Sequence, residues 1–167
     1  MKMTPVEGMK DYLPSEAALR DRLLADILDV YRANGFRHID TPAVESLENL
    51  ENSDGGDNLK LIYRLEKRGQ KLEKALAEGD YCHLCDLGLR YDLTLPLSRY
   101  YAQHKNELET PFKCIQAGRA YRAERPQKGR LREFMQCDID ILGSESTECE
   151  TELITVTAEA LLRAESK

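Results

Sequence analysis

Two long strand-like runs, "PFKCIQAGRAYR" and "EFMQCDIDIL", separated by "AERPQKGR", constrain this chain more than any other feature. In the second run Met135, Cys137, Ile139 and Ile141 fall on one face, while Phe134, Gln136, Asp138 and Asp140 fall on the other, as the two-residue period of a strand requires. The Pro and Gly of the connecting stretch mark a loop, so the pair is expected to form a hairpin with a long basic connection. A third run, "LGLRYDLTL", alternates in the same way. It predicts a strand with Leu87, Leu89, Tyr91 and Leu93 toward the core and Gly88, Arg90, Asp92 and Thr94 on a polar face.

Helical periodicity accounts for much of the rest. Leu19, Leu23, Ile27, Val30 and Tyr31 recur on one side of a helix that begins near Pro14-Ser15 and stops at Asn34-Gly35. "FRHIDTPAV" reads as a short extended segment, because Pro42 is incompatible with a long central strand. "ENLENSDGGDN" reads as a surface loop, "KLIYRL" as a strand and "QKLEKALAEG" as a short helix closed by Gly79. Pro96 is expected to open a helix running through Tyr100, Tyr101 and His104. A last helix carries Leu153, Val156, Ala160 and Leu161 and starts in the acidic turn from Glu148 to Glu152.

The length of 167 residues suits one domain, with no internal repeat or low-complexity segment. No apolar run could span a membrane, and the first residues lack the apolar core of a signal peptide, so a cytoplasmic protein is expected. The five cysteines are odd in number and scattered, which fits a reducing compartment. Cys82 and Cys85 make a C-x-x-C, but His38 and His104 are too far along the chain to complete a zinc site, so no metal site is expected. Tyr63, Tyr100 and Tyr101 are read as packing residues, Cys137 as a small buried hydrophobe and Asp138 as solvated.

Charge distribution points toward chemistry. The chain has a formal net charge of -6, yet Arg119, Arg122, Arg125, Lys128, Arg130 and Arg132 crowd into fourteen residues around the hairpin connection. Carboxylates, hydroxyl and amide at Asp92, Thr94, Gln136, Asp138 and Asp140 form an acceptor-rich floor suited to an ammonium group. The arginines beside it form a rim suited to phosphate, whose oxygens match the guanidinium fork. A ligand set that carries both an amino group and phosphates fits such a site.

The stretch Tyr121, Arg122, Ala123, Glu124, Arg125, Pro126, Gln127, Lys128, Gly129, Arg130, Leu131, Arg132, Glu133, Phe134, Met135, Gln136 resembles motif 2 of class II aminoacyl-tRNA synthetases in its histidyl-tRNA synthetase form. "LRYDLTLPLSRYYA" looks like that family's amino-acid-binding strand. "GMKDYLP" and "GFRHIDTP", with Pro42 as the motif 1 proline, are similar to the family in the same order along the chain. The resemblance implies an α+β fold, an antiparallel β-sheet flanked by helices. It implies that Asp92, Thr94 and Gln136 bind the α-amino group of histidine and that Asp140 lies toward the imidazole. Arg122 would contact the carboxylate and the α-phosphate as histidine attacks ATP. Glu124 would read the adenine amino group, Phe134 would stack on the ring, and Arg130 would reach the phosphate tail or the tRNA end. Magnesium would accompany ATP, and Arg125, Gln127 and Lys128 would approach the tRNA acceptor end.

Asp92 stands where the family often has Glu, a shorter acceptor of the same charge. The family's histidine-specific loop with its catalytic arginine, its motif 3 arginine and its anticodon-binding domain are not found before Lys167. Residues 1–167 are therefore expected to be the N-terminal portion of a class II catalytic domain, with motifs 1 and 2 present and weak or no turnover alone. The resemblance also implies a homodimer in the parent protein. Two other functions are compatible with the pattern: the synthetase-like regulatory subunit of ATP phosphoribosyltransferase, and a non-catalytic interaction module.

Overall fold

A computed structural model describes residues 3–52, 60–125, 127 and 129–165, with the Cys82 side chain left aside. In chain order the elements are α1 (Pro14–Ala33), β1 (Arg37–His38), β2 (Val44–Ser46), α2 (Leu47–Glu51), β3 (Arg64–Glu66), α3 (Gln70–Ala77), β4 (Cys85–Leu89), α4 (Thr94–His104), β5 (Phe112–Tyr121), β6 (Glu133–Leu142) and α5 (Thr147–Glu165). Small sheets flanked by helices make this an α+β fold. One sheet has the order β2-β4-β3 and is antiparallel, and the other has the order β1-β5-β6. The short β1 departs from the antiparallel expectation, running parallel to β5 with Arg37 opposite Cys114.

The chain divides into two compact units, of which one comprises Met1–Lys10, Thr41–Gln103 and Gly118–Gln136 and the other Asp11–Asp40, His104–Ala117 and Cys137–Lys167. In the second unit α1 packs on α5. Val30, Tyr31, Phe36, Ile115, Val156 and Ala160 form its buried core, joined by Ile27, Leu28, Cys137, Ile139, Ile141 and Leu153. Each fully buried side chain of this size contributes ~1.5–3 kcal/mol relative to exposure. Pro14 occupies the first helical position of α1, where a missing N–H costs nothing, and the Leu13 N–H donates to Glu16 Oε2 at 3.1 Å. Gly35, at φ +84°, ends the helix as anticipated. Lys113 then ties the helix end down, donating to Asn34 O at 2.7 Å and pairing with Glu152.

In the first unit α2 lies against β4, and the core is Leu47, Leu50, Ile62 and Tyr91 with Cys85 and Leu95 beside it. The approach is close enough to require glycine at position 88. A Cβ there would stand 2.7 Å from Leu50 Cδ1 and 3.0 Å from Ile62 Cγ2.

Several expectations are corrected. The strand drawn from "LGLRYDLTL" ends at Leu89, and Thr94 is already helical. Helix-start chemistry overrides the alternation: Asp92 Oδ1 accepts the Leu95 N–H at 3.3 Å, and Pro96 sits in the first turn. Arg90, expected on a polar outer face, is buried. Its Nη1 donates to Thr41 O at 2.6 Å and Thr41 Oγ1 at 3.1 Å, and its Nε donates to Arg119 O at 2.9 Å. Leu87, expected in the core, is 42 % exposed. The "KLIYRL" strand begins only at Arg64. Residues Leu47–Glu51, partly assigned to the acidic loop, are helical because Leu47 and Leu50 are both buried; 53–58 of that loop lie outside the described residues. On α5, Leu161 is exposed while Val156 and Ala160 take the core face. Met135 is likewise exposed on β6.

Arg90→Met keeps the apolar stem but removes the donors that reach Thr41 O, Thr41 Oγ1 and Arg119 O. It is expected to destabilise the chain by on the order of 3 kcal/mol, read as a lower urea midpoint with unchanged slope.

Candidate functional site

The basic site is assembled where the β5–β6 hairpin opens into its loop. The Arg122 N–H donates to Arg132 O at 2.9 Å, closing the hairpin, and the Ala123 N–H donates to Leu61 O at 2.8 Å. The Arg122 side chain is held from two sides: Nε donates to Tyr91 O at 3.1 Å, and the guanidinium carbon lies 5.0 Å from the centroid of the Phe134 ring. Such a cation–π contact contributes about 0.5–1 kcal/mol where it is exposed. Among the described residues, neither Nη of Arg122 is hydrogen-bonded, so the fork keeps donors that could serve an anion.

Arg122, Glu124, Arg130 and Phe134 line a single open pocket of about 510 Å³ together with Leu61, Gly129 and Leu131. Arg130 Nη1 and Glu124 Oε2 are 3.4 Å apart, with the arginine exposed and the carboxylate largely covered. An exposed pair of this kind contributes ~0–1 kcal/mol, so a ligand can separate it at little cost. The loop reverses at Gly129, whose φ of +81° suits glycine, and Gln127 and Arg130 exchange backbone hydrogen bonds across the reversal. The pocket thus offers guanidinium groups for phosphate, an aromatic face for a planar ring and a carboxylate for a ring amino group.

The other expected site residues lie outside that lining. Asp92 precedes α4 and caps its first turn, and Thr94 is exposed, with its carbonyl accepting from Ser98 Oγ at 3.0 Å. Gln136 is half-buried on β6 in the same unit as the pocket, whereas Asp140 belongs to the other unit. Burial, and then the neighbouring Asp138 carboxylate, raise Asp140 above the usual carboxylate range. Asp138, read as solvated, is half-buried. Cys137 packs against the core, and burial pushes its thiol up to about 11. Arg125 and Gln127 are exposed on the loop, and Lys128 lies outside the described residues.

Arg132 turns inward, a role not anticipated for a loop arginine. Its N–H donates to Gly8 O at 2.7 Å, its Nε to Glu124 O at 2.9 Å and its Nη1 to Glu7 O at 3.1 Å. Arg90 was also missed, because its neighbours in the alternating run suggested solvent. The glycine at position 118 was the available signal: a Cβ there would lie 2.2 Å from Arg90 Nη2. Among the described residues no three His, Cys, Asp or Glu side chains are grouped to hold a metal ion, and no helix is long and apolar enough to cross a membrane. His83 Nδ1 instead lies 2.7 Å from Asp80 Oδ1.

A family model described as histidyl-tRNA synthetase matches residues 8–167. The chain is 49% identical over 162 residues to the histidine--tRNA ligase of Leifsonia xyli subsp. xyli, covering 95% of this chain and 38% of that protein. The histidyl-tRNA synthetase structure from Nostoc sp. PCC 7120 superposes with a TM-score of 0.76 at 35% identity, covering 96% of this chain and 34% of that one. A protein from Bacillus halodurans C described as an ATP phosphoribosyltransferase regulatory subunit/histidyl-tRNA synthetase shares the fold, with a TM-score of 0.79 at 22% identity and coverage of 97% and 38%. The chain therefore spans well under half the length of the relatives it matches.

The raised Asp140 carboxyl has a consequence for stability. The folded chain holds this proton more tightly than the unfolded chain does, so stability falls as pH rises from the ordinary carboxylate range through the raised value. Asp140→Asn removes that loss. The variant is expected to melt above wild type near neutral pH and to lose its advantage at about pH 3, below the ordinary carboxyl range; thermal denaturation at several pH values measures the difference.

Proposed function

The chain belongs to the histidyl-tRNA synthetase family, and from that premise we infer that residues 1–167 form the N-terminal portion of the catalytic domain of a histidine-tRNA ligase. The reaction joins the histidine carboxylate to the α-phosphorus of ATP, expels pyrophosphate, and then passes the histidyl group to a hydroxyl at the end of its tRNA, releasing AMP. Negative charge grows on the phosphoryl oxygens during the first step, and a fixed guanidinium there stabilises the transition state more than the ground state. The observation that carries this reading is Arg122, pinned by Tyr91 O and the Phe134 ring with its fork unspent. A guanidinium already oriented loses little on meeting its anion.

The remaining roles follow from chemistry. Phe134 takes the adenine ring, the Glu124 carboxylate accepts from its amino group, and Arg130 moves from Glu124 to the phosphate tail. Asp92, Thr94 and Gln136 receive the ammonium of histidine, and Asp140 receives its imidazole, for which a carboxyl with a raised proton affinity is a suitable hydrogen-bonding partner. Magnesium, when bound with ATP, neutralises triphosphate charge. Such an ion would be carried on phosphate oxygens and water. Exposed Arg125 and Gln127 approach the tRNA acceptor end. A cytoplasmic homodimer completes the proposal.

In a full-length synthetase carrying this sequence, pyrophosphate is expected to exchange into ATP only when histidine is present. Arg122→Ala should slow the exchange by on the order of 100-fold or more. Undiminished exchange would remove Arg122 from the mechanism, and absence of any histidine-dependent exchange in the wild type would favour the regulatory-subunit reading. The 167-residue chain alone is expected to show weak or no turnover in the same assay.

A further inference from the structure

The motif "GMKDYLP" has no part in the chemistry described so far, yet its first residues are attached to the nucleotide pocket. Residues 6–9 form a tight turn closed by the Met9 N–H donating to Val6 O at 2.9 Å, with Gly8 at φ +84°. Positive φ at the third residue of a turn is the conformation that favours glycine. The turn presents two successive carbonyls to a single residue of the hairpin. Gly8 O accepts the Arg132 N–H at 2.7 Å, and Glu7 O accepts Arg132 Nη1 at 3.1 Å. The same guanidinium donates from Nε to Glu124 O at 2.9 Å, and Arg132 O receives the Arg122 N–H. One arginine thus joins the N-terminal turn to the backbone of two of the charged pocket residues, Arg122 and Glu124.

We propose that the turn at residues 6–9 and Arg132 form a positioning device that fixes Glu124 at the base end of the pocket and so sets the protein's selectivity for adenine. The inference rests on the reading of Glu124 as the acceptor of the adenine amino group. Glu124 sits in a long loop in which Gly129 adopts positive φ, and its carboxylate pairs weakly with exposed Arg130. A carboxylate discriminates between bases only if its backbone is held within a fraction of an ångström of hydrogen-bonding range. The bond from Arg132 supplies that restraint, and the turn fixes Arg132 in its rotamer. Lysine at position 132 keeps the charge but cannot serve the Glu7 and Glu124 carbonyls with a planar fork.

The test uses a full-length synthetase carrying this sequence and compares histidine-dependent pyrophosphate exchange with ATP against exchange with purine riboside triphosphate, which lacks the 6-amino group. Wild type is expected to prefer ATP, with Glu124→Gln narrowing the preference. Arg132→Lys and Gly8→Ala should each narrow it by about tenfold, chiefly by slowing ATP. Combined with Glu124→Gln, neither should add a further loss, because both act through the same carboxylate. Gly8→Ala leaves every side chain of the pocket in place and serves if Arg132→Lys folds poorly, with circular dichroism checking both. Equal slowing with both nucleotides, or a loss that adds to that of Glu124→Gln, would overturn the positioning role. A wild type with no histidine-dependent exchange would instead refute the underlying function, and a wild type in which Glu124→Gln leaves the preference intact would refute the reading of Glu124.

Discussion

The first unit is organised around a buried guanidinium. Taking an arginine out of water costs several kcal/mol unless its donors are matched, and Arg90 is matched by oxygens of Thr41 and Arg119. Its backbone is committed as well: the N–H donates to Ala43 O, and the carbonyl receives the Tyr121 N–H. One residue therefore holds the end of β4, the segment before β2 and the end of β5 in a single arrangement, with glycine at 118 making room. The neighbours of Arg90 inherit their positions from this arrangement. The Tyr91 carbonyl arrives under Arg122, and Asp92 arrives at the start of α4.

The parts of this design that were legible in the sequence are those governed by local periodicity. The two long strands, the first and last helices and the glycine stops follow from residue spacing that tertiary packing reinforces, as Val30, Tyr31, Val156 and Ala160 illustrate. The parts that were not legible depend on partners distant in sequence. Alternation from Leu87 to Thr94 could not reveal that the acceptors of Arg90 come from residues 41 and 119, nor that a capping carboxylate and a proline convert the end of the run into helix. The pocket was legible as a set of residue types, since Arg122, Glu124, Arg130 and Phe134 do line one cavity. Its inner support was not, because Arg132 looks like its neighbours until its three carbonyl partners are known.

The charge anomaly resolves into different uses of one residue type. Arg119 is paired with Glu133 at 2.9 Å, Arg132 is consumed by backbone carbonyls, Arg130 is lightly held by Glu124, and Arg122 keeps its fork open. Only the last two present charge to a pocket. A basic run in an acidic chain is thus divided among structural and open uses, and long-range attraction of polyanions would be screened at physiological salt.

The capping bond of Asp92 ties a carboxylate to the backbone of a helix. A carboxylate oxygen that holds the Leu95 amide shifts its electron density when the other oxygen meets a cation, and the hydrogen bond to the amide changes with it. The Leu95 amide proton is therefore a reporter built into the chain. Its chemical shift and its exchange with solvent would register a cation meeting the Asp92 carboxylate, converting a helix start into a gauge of binding.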